Sequence, residues 1–149
     1  VSHFVQEAGQ EVEQEGGRVE LHMIPSAHPV SMDSEQIYRV LNNLKDNALR
    51  YAGANPLILT LTVWRQGDME CVRFADNGHG VAQECLPRLF ERFWREDQAR
   101  SSQNGEGSGL GLYIAKCIIE AHGGTIRVKN DGGLVFEIAL PRREDDCHG

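Results

Sequence analysis

Cysteine is sparse and scattered. Cys71, Cys85, Cys117 and Cys147 form no Cys-x-x-Cys pair, which argues against a zinc knuckle or redox dithiol and fits free thiols in a reducing cytosol. No apolar run approaches the roughly 20 residues needed to cross a bilayer, and no charged-then-apolar leader opens the chain. The piece is therefore expected to be soluble and cytoplasmic, with no direct membrane contact, although a longer membrane protein is compatible as its parent. Positive charge is in deficit, with 15 Lys and Arg against 22 Asp and Glu for a formal net charge of -7. Such a chain repels a polyphosphate surface, so nucleic acid is excluded as the expected partner. One local basic patch still suits a small bound polyanion.

What is present fits one domain: 149 residues with 40% hydrophobic content, enough for a single core. Residues 1–141 are expected to form it, with a disordered charged tail over 142–149. Phe4 to Glu15 is weakly amphipathic and is stopped by Gly16 and Gly17, which predicts a helix. Arg18 to Ile24 and Pro29 to Met32 alternate in β fashion and predict a small hairpin. Asp33 and Gln36 have the spacing of a capping box before a helix over Ser34 to Tyr51, whose apolar face carries Ile37, Val40, Leu41, Leu44, Ala48 and Tyr51. Leu57 to Trp64 and Met69 to Ala75 flank Gly67 and Asp68 as a second hairpin. Val81 to Asn104 suits a mobile connection with one helical turn. A last helix carries Leu110, Ile114, Cys117, Ile118 and Ala121 as its stripe and stops at Gly123 and Gly124. Strands Thr125 to Lys129 and Leu134 to Leu140 then flank the turn Asp131, Gly132 and Gly133. The order implies an α+β sandwich, one sheet with helices on one face.

Four segments carry candidate chemistry. On the flank of the long helix, Asn43, Asn47 and Arg50 line up at i, i+4 and i+7; carboxamide oxygens can ligate Mg²⁺, and a guanidinium neutralises phosphate. At a strand end, Val72, Phe74 and Asp76 share one face, so the alternation that buries the first two turns the carboxylate inward. It then needs donors, which a purine amino group and ordered water would supply, while Gly78 and Gly80 would let the backbone approach the base. Leu89 to Arg95 alternates aromatic residues with Arg92 and Arg95, as in a lid that docks beside phosphates. Gly105 to Leu112, with Gly107, Ser108, Gly109, Leu110 and Gly111, opens the last helix with free amides and a positive helix end, a phosphate-binding arrangement that is neither a Walker A sequence nor a Rossmann turn. Taken singly, each has a plainer explanation: a solvated helix flank, a type I turn, an amphipathic turn with its cations in solvent, a flexible linker.

In order, these segments resemble the N box, first glycine box, F box and second glycine box of sensor histidine kinase catalytic domains, in the superfamily of gyrase B, MutL and the heat-shock-ninety chaperones. The resemblance covers roughly Asp33 to Pro141. It implies the Bergerat fold, a mixed, mostly antiparallel sheet covered by three helices, binding ATP and Mg²⁺. It implies Asn47 as the magnesium ligand with Asn43 beside it, Arg50 and Tyr51 as the family's basic-aromatic pair, and Asp76 as the reader of the adenine amino group. Gly78 and Gly80 then flank the base; Gly107, Gly109 and Gly111 close over phosphates; Arg92 and Arg95 are lid cations. Lys45, in a usually apolar position, and Glu106, where glycine is frequent, depart from the pattern, and His79 fills a variable slot.

Hydrolysing relatives carry a glutamate where this chain has Asn43, and an amide cannot accept a proton at neutral pH, so slow hydrolysis is expected. None of the six histidines is followed by Glu or Asp, the pattern of the family's phosphoacceptor. The resemblance thus implies a donor domain acting on a histidine of its own dimerisation and phosphoacceptor domain, upstream of a response regulator, within an inner-membrane sensor or a soluble parent. Two other readings share the boxes: a nucleotide-binding regulatory module without transfer, and an anti-sigma-factor serine kinase.

Overall fold

The computed structural model describes residues 2–14, 16–23, 34–54, 56–92 and 110–141. Helix α1, Ser2–Gln14, buries Phe4, Ala8 and Val12, which recur every four residues and so share one face. Gly16, at φ 86°, ends it: its amide donates to the Glu13 carbonyl at 2.9 Å, and the Gly17 amide donates to Val12 at 3.0 Å, which satisfies carbonyls the helix leaves open. A Cβ on Gly17 would lie 2.0 Å from the Leu57 carbonyl oxygen, so glycine is what lets the chain turn closely into strand β1, Arg18–Met23.

The partner seen for β1 is β2, Ile58–Gln66, lying parallel to it, with Arg18 opposite Ile58 and Met23 opposite Val63. This pairing differs from the local hairpin expected there, whose second arm, Pro29 to Met32, lies outside the described residues. A parallel pair needs a crossover, and helix α2, Ser34–Tyr51, supplies it. The expected hairpin of β2 with β3, Met69–Asp76, is present and antiparallel. After a 3-10 turn at Gln83–Arg88 come helix α3, Gly111–Ala121, and the antiparallel strands β4, Thr125–Asn130, and β5, Leu134–Pro141. β5 inserts between β3 and β4, giving the order β1-β2-β3-β5-β4. The fold is therefore the anticipated α+β sandwich.

Alternate residues of the strands form the helix-covered face. In register, Leu61, Phe74, Phe136 and Val128 make one row across four strands, against which Ile37, Val40, Leu41, Leu44 and Ala48 of α2 pack. Fully burying one such leucine contributes about 1.5–3 kcal/mol, so this stripe sets the placement of α2. Lys45 interrupts it, only 5% exposed, with Nζ paired to Glu11 of α1 and lying 3.3 Å from Asp46 Oδ1. The lysine at a usually apolar position is thus matched by carboxylates from its own helix and its neighbour.

On α3 the expected stripe is displaced. The residues buried in the core are Leu112, Ala115 and Ile119, with Ile118 of the expected stripe packed against it partly buried, whereas Cys117 and Ala121 are exposed. α3 is apolar on most of its circumference, so its period is compatible with more than one buried face, and packing on α2 and the sheet selects among them. Among the described residues, no helix is long and apolar enough to cross a membrane. The tail over 142–149 and the capping residue Asp33 lie outside the described set.

Candidate nucleotide site

Two of the other candidate segments touch α2 or the residues just past it: the start of α3 at Asn43 and the Asp76 loop at Ala52. Asn43 and Asn47 are half-buried beside the apolar stripe, Tyr51 is half-buried, and Arg50 is exposed. The Asn43 Nδ2 donates to the Gly111 carbonyl at 3.1 Å, fastening the first residue of α3 to the helix flank. That bond commits the nitrogen of the carboxamide and leaves Oδ1 as its ligating atom. The Asn47 side chain makes no hydrogen bond to any described residue, so its carboxamide oxygen is available to a hard cation. The two amides, one turn apart, therefore fit Mg²⁺, which favours oxygen ligands and keeps waters and phosphate oxygens in its shell.

At the other end of α2 the loop after β3 is knitted to the chain just past the helix. The His79 amide donates to the Ala52 carbonyl at 3.0 Å, and a Cβ on Gly78 would lie 2.2 Å from that same oxygen. The His79 ring packs on Gly53, where a Cβ would stand 2.8 Å from the imidazole Cδ2. Along the axis, Asn47 lies about 8 Å and Asn43 about 14 Å before Ala52 at 1.5 Å per residue. The Asp76 loop and the start of α3 thus bracket the two asparagines.

Asp76 is 8% exposed, as its alternation with Val72 and Phe74 requires. Its donors differ from those expected of a purine and water. Oδ1 accepts from the Gly78 amide at 2.8 Å and from the Leu134 amide at 3.1 Å. Because Ala75 lies opposite Val135 in the β3–β5 ladder, the next β5 residue, Leu134, is the one whose amide reaches the carboxylate. Two backbone donors on one oxygen hold the carboxyl group in one orientation. Oδ2 accepts from none of the described residues and is the oxygen left for a ligand donor.

The glycines of the loop are also explained by the protein itself. Besides Gly78 on Ala52, Gly80 has φ 70° and a Cβ there would stand 2.3 Å from Asn130 Oδ1. Close approach to protein atoms, together with positive φ at Gly80, is what these positions require.

Of the lid candidates, Leu89 is buried and Phe90 packs edge-to-face on Phe136, ring centroids 6.0 Å apart. Lys116 Nζ lies 5.6 Å from the Phe90 ring, and the Arg92 guanidinium lies 5.9 Å from the Tyr113 ring on α3. Arg92 thus has a cation–π contact with α3. Leu110 precedes α3 and Gly111 begins it, which presents the amino end of the helix beside Asn43. Arg95, Glu106, Gly107, Ser108 and Gly109 lie outside the described residues.

Sequence reasoning missed two asparagines that shape the loop. Asn77 Oδ1 accepts from the Ile58 amide at 2.7 Å and its Nδ2 donates to the Pro56 carbonyl at 2.9 Å. Asn130 does the same to one residue, its Oδ1 accepting from the Val81 amide at 3.0 Å and its Nδ2 donating to the Val81 carbonyl at 2.8 Å. A carboxamide carries the donor and acceptor of a peptide, and the only local signal is an Asn at a strand end next to a glycine-bearing turn.

Comparison with known proteins agrees with this geometry. The family described as histidine kinase-, DNA gyrase B-, and HSP90-like ATPase matches residues 32–144. The sensor protein VanS of Enterococcus faecium is 40% identical over 122 residues, 81% of this chain, and the chain spans only 31% of the length of VanS. The mycobacterial sensor histidine kinase MprB superposes with a TM-score of 0.73 at 26% identity, covering 95% of both chains. The catalytic domain of histidine kinase ThkA superposes with a TM-score of 0.77 over 95% of this chain and 92% of its own, at 24% identity, a likeness of fold. With the sheet order, the bracketed asparagines and the fixed carboxylate in place, the chain belongs to the histidine kinase-, DNA gyrase B- and HSP90-like ATPase family.

Proposed function

We propose that this domain binds Mg-ATP and donates the γ-phosphoryl group to a histidine on a dimerisation and phosphoacceptor domain outside this sequence. The observation that carries the reading is the bracketing of Asn43 and Asn47 between the Asp76 loop and the start of α3. In that arrangement Asp76 Oδ2 accepts from the adenine amino group at one end. The amide groups at the amino end of α3 meet phosphate oxygens at the other, where the helix end favours negative charge. Between them, Asn47 and the free oxygen of Asn43 would hold Mg²⁺, which neutralises charge on the triphosphate.

Transfer breaks the bond between the γ-phosphorus and the β,γ-bridging oxygen and forms a phosphorus–nitrogen bond to the incoming imidazole, with ADP leaving. The protein's part is alignment and charge stabilisation. Asn43 offers no base to a water molecule, since its nitrogen is occupied by Gly111 and its oxygen is an amide oxygen. Competing hydrolysis is therefore slow. A solved complex of ThkA with the response regulator protein TrrA supports a response regulator as the next acceptor.

The test is to mix the chain with the phosphoacceptor domain of its parent protein and γ-labelled ATP. Label on histidine is the expected result. Bound nucleotide without labelled histidine would remove the kinase reading and leave a regulatory nucleotide-binding module, whereas label on a serine would favour the serine-kinase alternative.

A further inference from the structure

The turn between β4 and β5 touches both ends of the Asp76 loop. At the entrance, the Leu134 amide donates to Asp76 Oδ1, and a Cβ on Gly133 would stand 2.7 Å from that oxygen and 2.2 Å from the Asp76 carbonyl oxygen. At the exit, Asn130 takes both backbone groups of Val81 and seats its Oδ1 over Gly80. The turn is itself closed by the Asp131 amide donating to the Gly133 carbonyl at 2.8 Å, and Asp131 lies 3.3 Å from Arg73 on β3. The five residues from Asn130 to Leu134 therefore act as one bracket, spanning the segment from Asp76 to Val81.

We propose that Asn130 is a positioning residue for base recognition: it fixes the exit of the Asp76 loop without touching the nucleotide, and thereby sets adenine selectivity. The inference rests on the nucleotide reading above. Its physical basis is that Asp76 and Gly80 lie on one short loop containing two glycines, whose backbone has many conformations to choose from. The bonds of Asp76, Asn77 and His79 hold the entrance and middle of that loop and leave its exit, at Gly80 and Val81, to Asn130. With Val81 held through both its amide and its carbonyl, Oδ2 keeps one direction towards the base. A purine with a carbonyl in place of the amino group meets the carboxylate as acceptor against acceptor, so selectivity depends on that direction being held.

The test compares Asn130→Ala and Asn130→Asp with the unaltered chain, titrating Mg-ATP, Mg-GTP and Mg-tripolyphosphate, with urea unfolding as the check on folding. Asn130→Ala is expected to weaken ATP about tenfold, the loss of one well-directed hydrogen bond. Tripolyphosphate and GTP should change by less than about twofold, so the preference for ATP over GTP falls. Asn130→Asp keeps the acceptor for the Val81 amide and loses the donor, so it should lie between the two. Equal loss of all three ligands would show a general structural role and overturn the proposal, as would unchanged ATP selectivity in Asn130→Ala. Failure of the unaltered chain to bind Mg-ATP would overturn the nucleotide reading and this inference with it.

Discussion

The row of β3 residues that faces the helices begins and ends in a carboxylate, Glu70 and Asp76, with Val72 and Phe74 between them. The two acids are equally forced inward by strand alternation, yet their surroundings differ. Asp76 has two backbone donors on one oxygen, whereas Glu70 is 1% exposed and its Oε2 is buried with no hydrogen-bond partner among the described residues. A buried acceptor left unpaired costs about 1–3 kcal/mol. Glu70→Met, which keeps the length of the side chain and removes the oxygens, should therefore stabilise the fold by about that amount, read as a higher urea midpoint with an unchanged slope. A fall in the midpoint would mean that the carboxylate has a partner worth more than its burial. The thiol of Cys71, on the opposite face of the strand, still feels that charge: burial first, and the charges of Glu70 and Glu137 second, push its pKa upward. A raised pKa on a thiol gives stability that is complete below the unfolded value and is lost as pH rises through the folded one. Removing the Glu70 charge should soften that alkaline loss.

Among the elements, those with one unambiguous period were legible from the sequence. α2 carries a single apolar stripe beside polar flanks, and β2 and β3 alternate cleanly on either side of a glycine turn, so each could take only one arrangement. β1 alternates just as well, but its neighbour β2 lies across a whole helix in the chain, and local pattern says nothing about a parallel partner. α3 shows the other kind of ambiguity, since Leu110, Ile114, Cys117 and Ile118 make as regular a stripe as Leu112, Ala115 and Ile119. The difference can be measured. Ile119→Ala removes a fully buried side chain and should cost about 2–4 kcal/mol, whereas Ile114→Ala, at a half-buried position, should cost about 1 kcal/mol or less. Paired urea titrations decide it, and the reverse order would restore the stripe through Ile114.

At the scale of the whole molecule, the site is an agreement among distant pieces of chain, and its legibility follows from that. Asp76, Asn43 and Asn47 were visible because each announces itself locally, as an acid at the end of an apolar alternation or as amides on a helix flank. Asn77, Asn130 and Leu134 were not, because their hydrogen-bond partners stand 21, 49 and 58 residues away in sequence, and only the closed sheet brings them together. A ligand that touches α2, the Asp76 loop and the start of α3 binds only the folded arrangement, so it must stabilise the fold by mass action. At a hundredfold excess over its dissociation constant, Mg-ATP should add about 2.7 kcal/mol to the unfolding free energy. In Asp76→Asn the amide oxygen can keep the bonds from the Gly78 and Leu134 amides, while its NH₂ takes the place of Oδ2 and opposes the adenine amino group. That variant should unfold like the parent chain without nucleotide. With about tenfold weaker binding at the same ATP concentration, it should gain only about 1.4 kcal/mol. On the proposed arrangement, in which a cation would join the asparagines to the triphosphate, chelating the metal with EDTA should remove most of the gain in both proteins. Equal stabilisation of the two proteins would mean that the carboxylate does not meet the base, and the nucleotide would then have to lie elsewhere on α2.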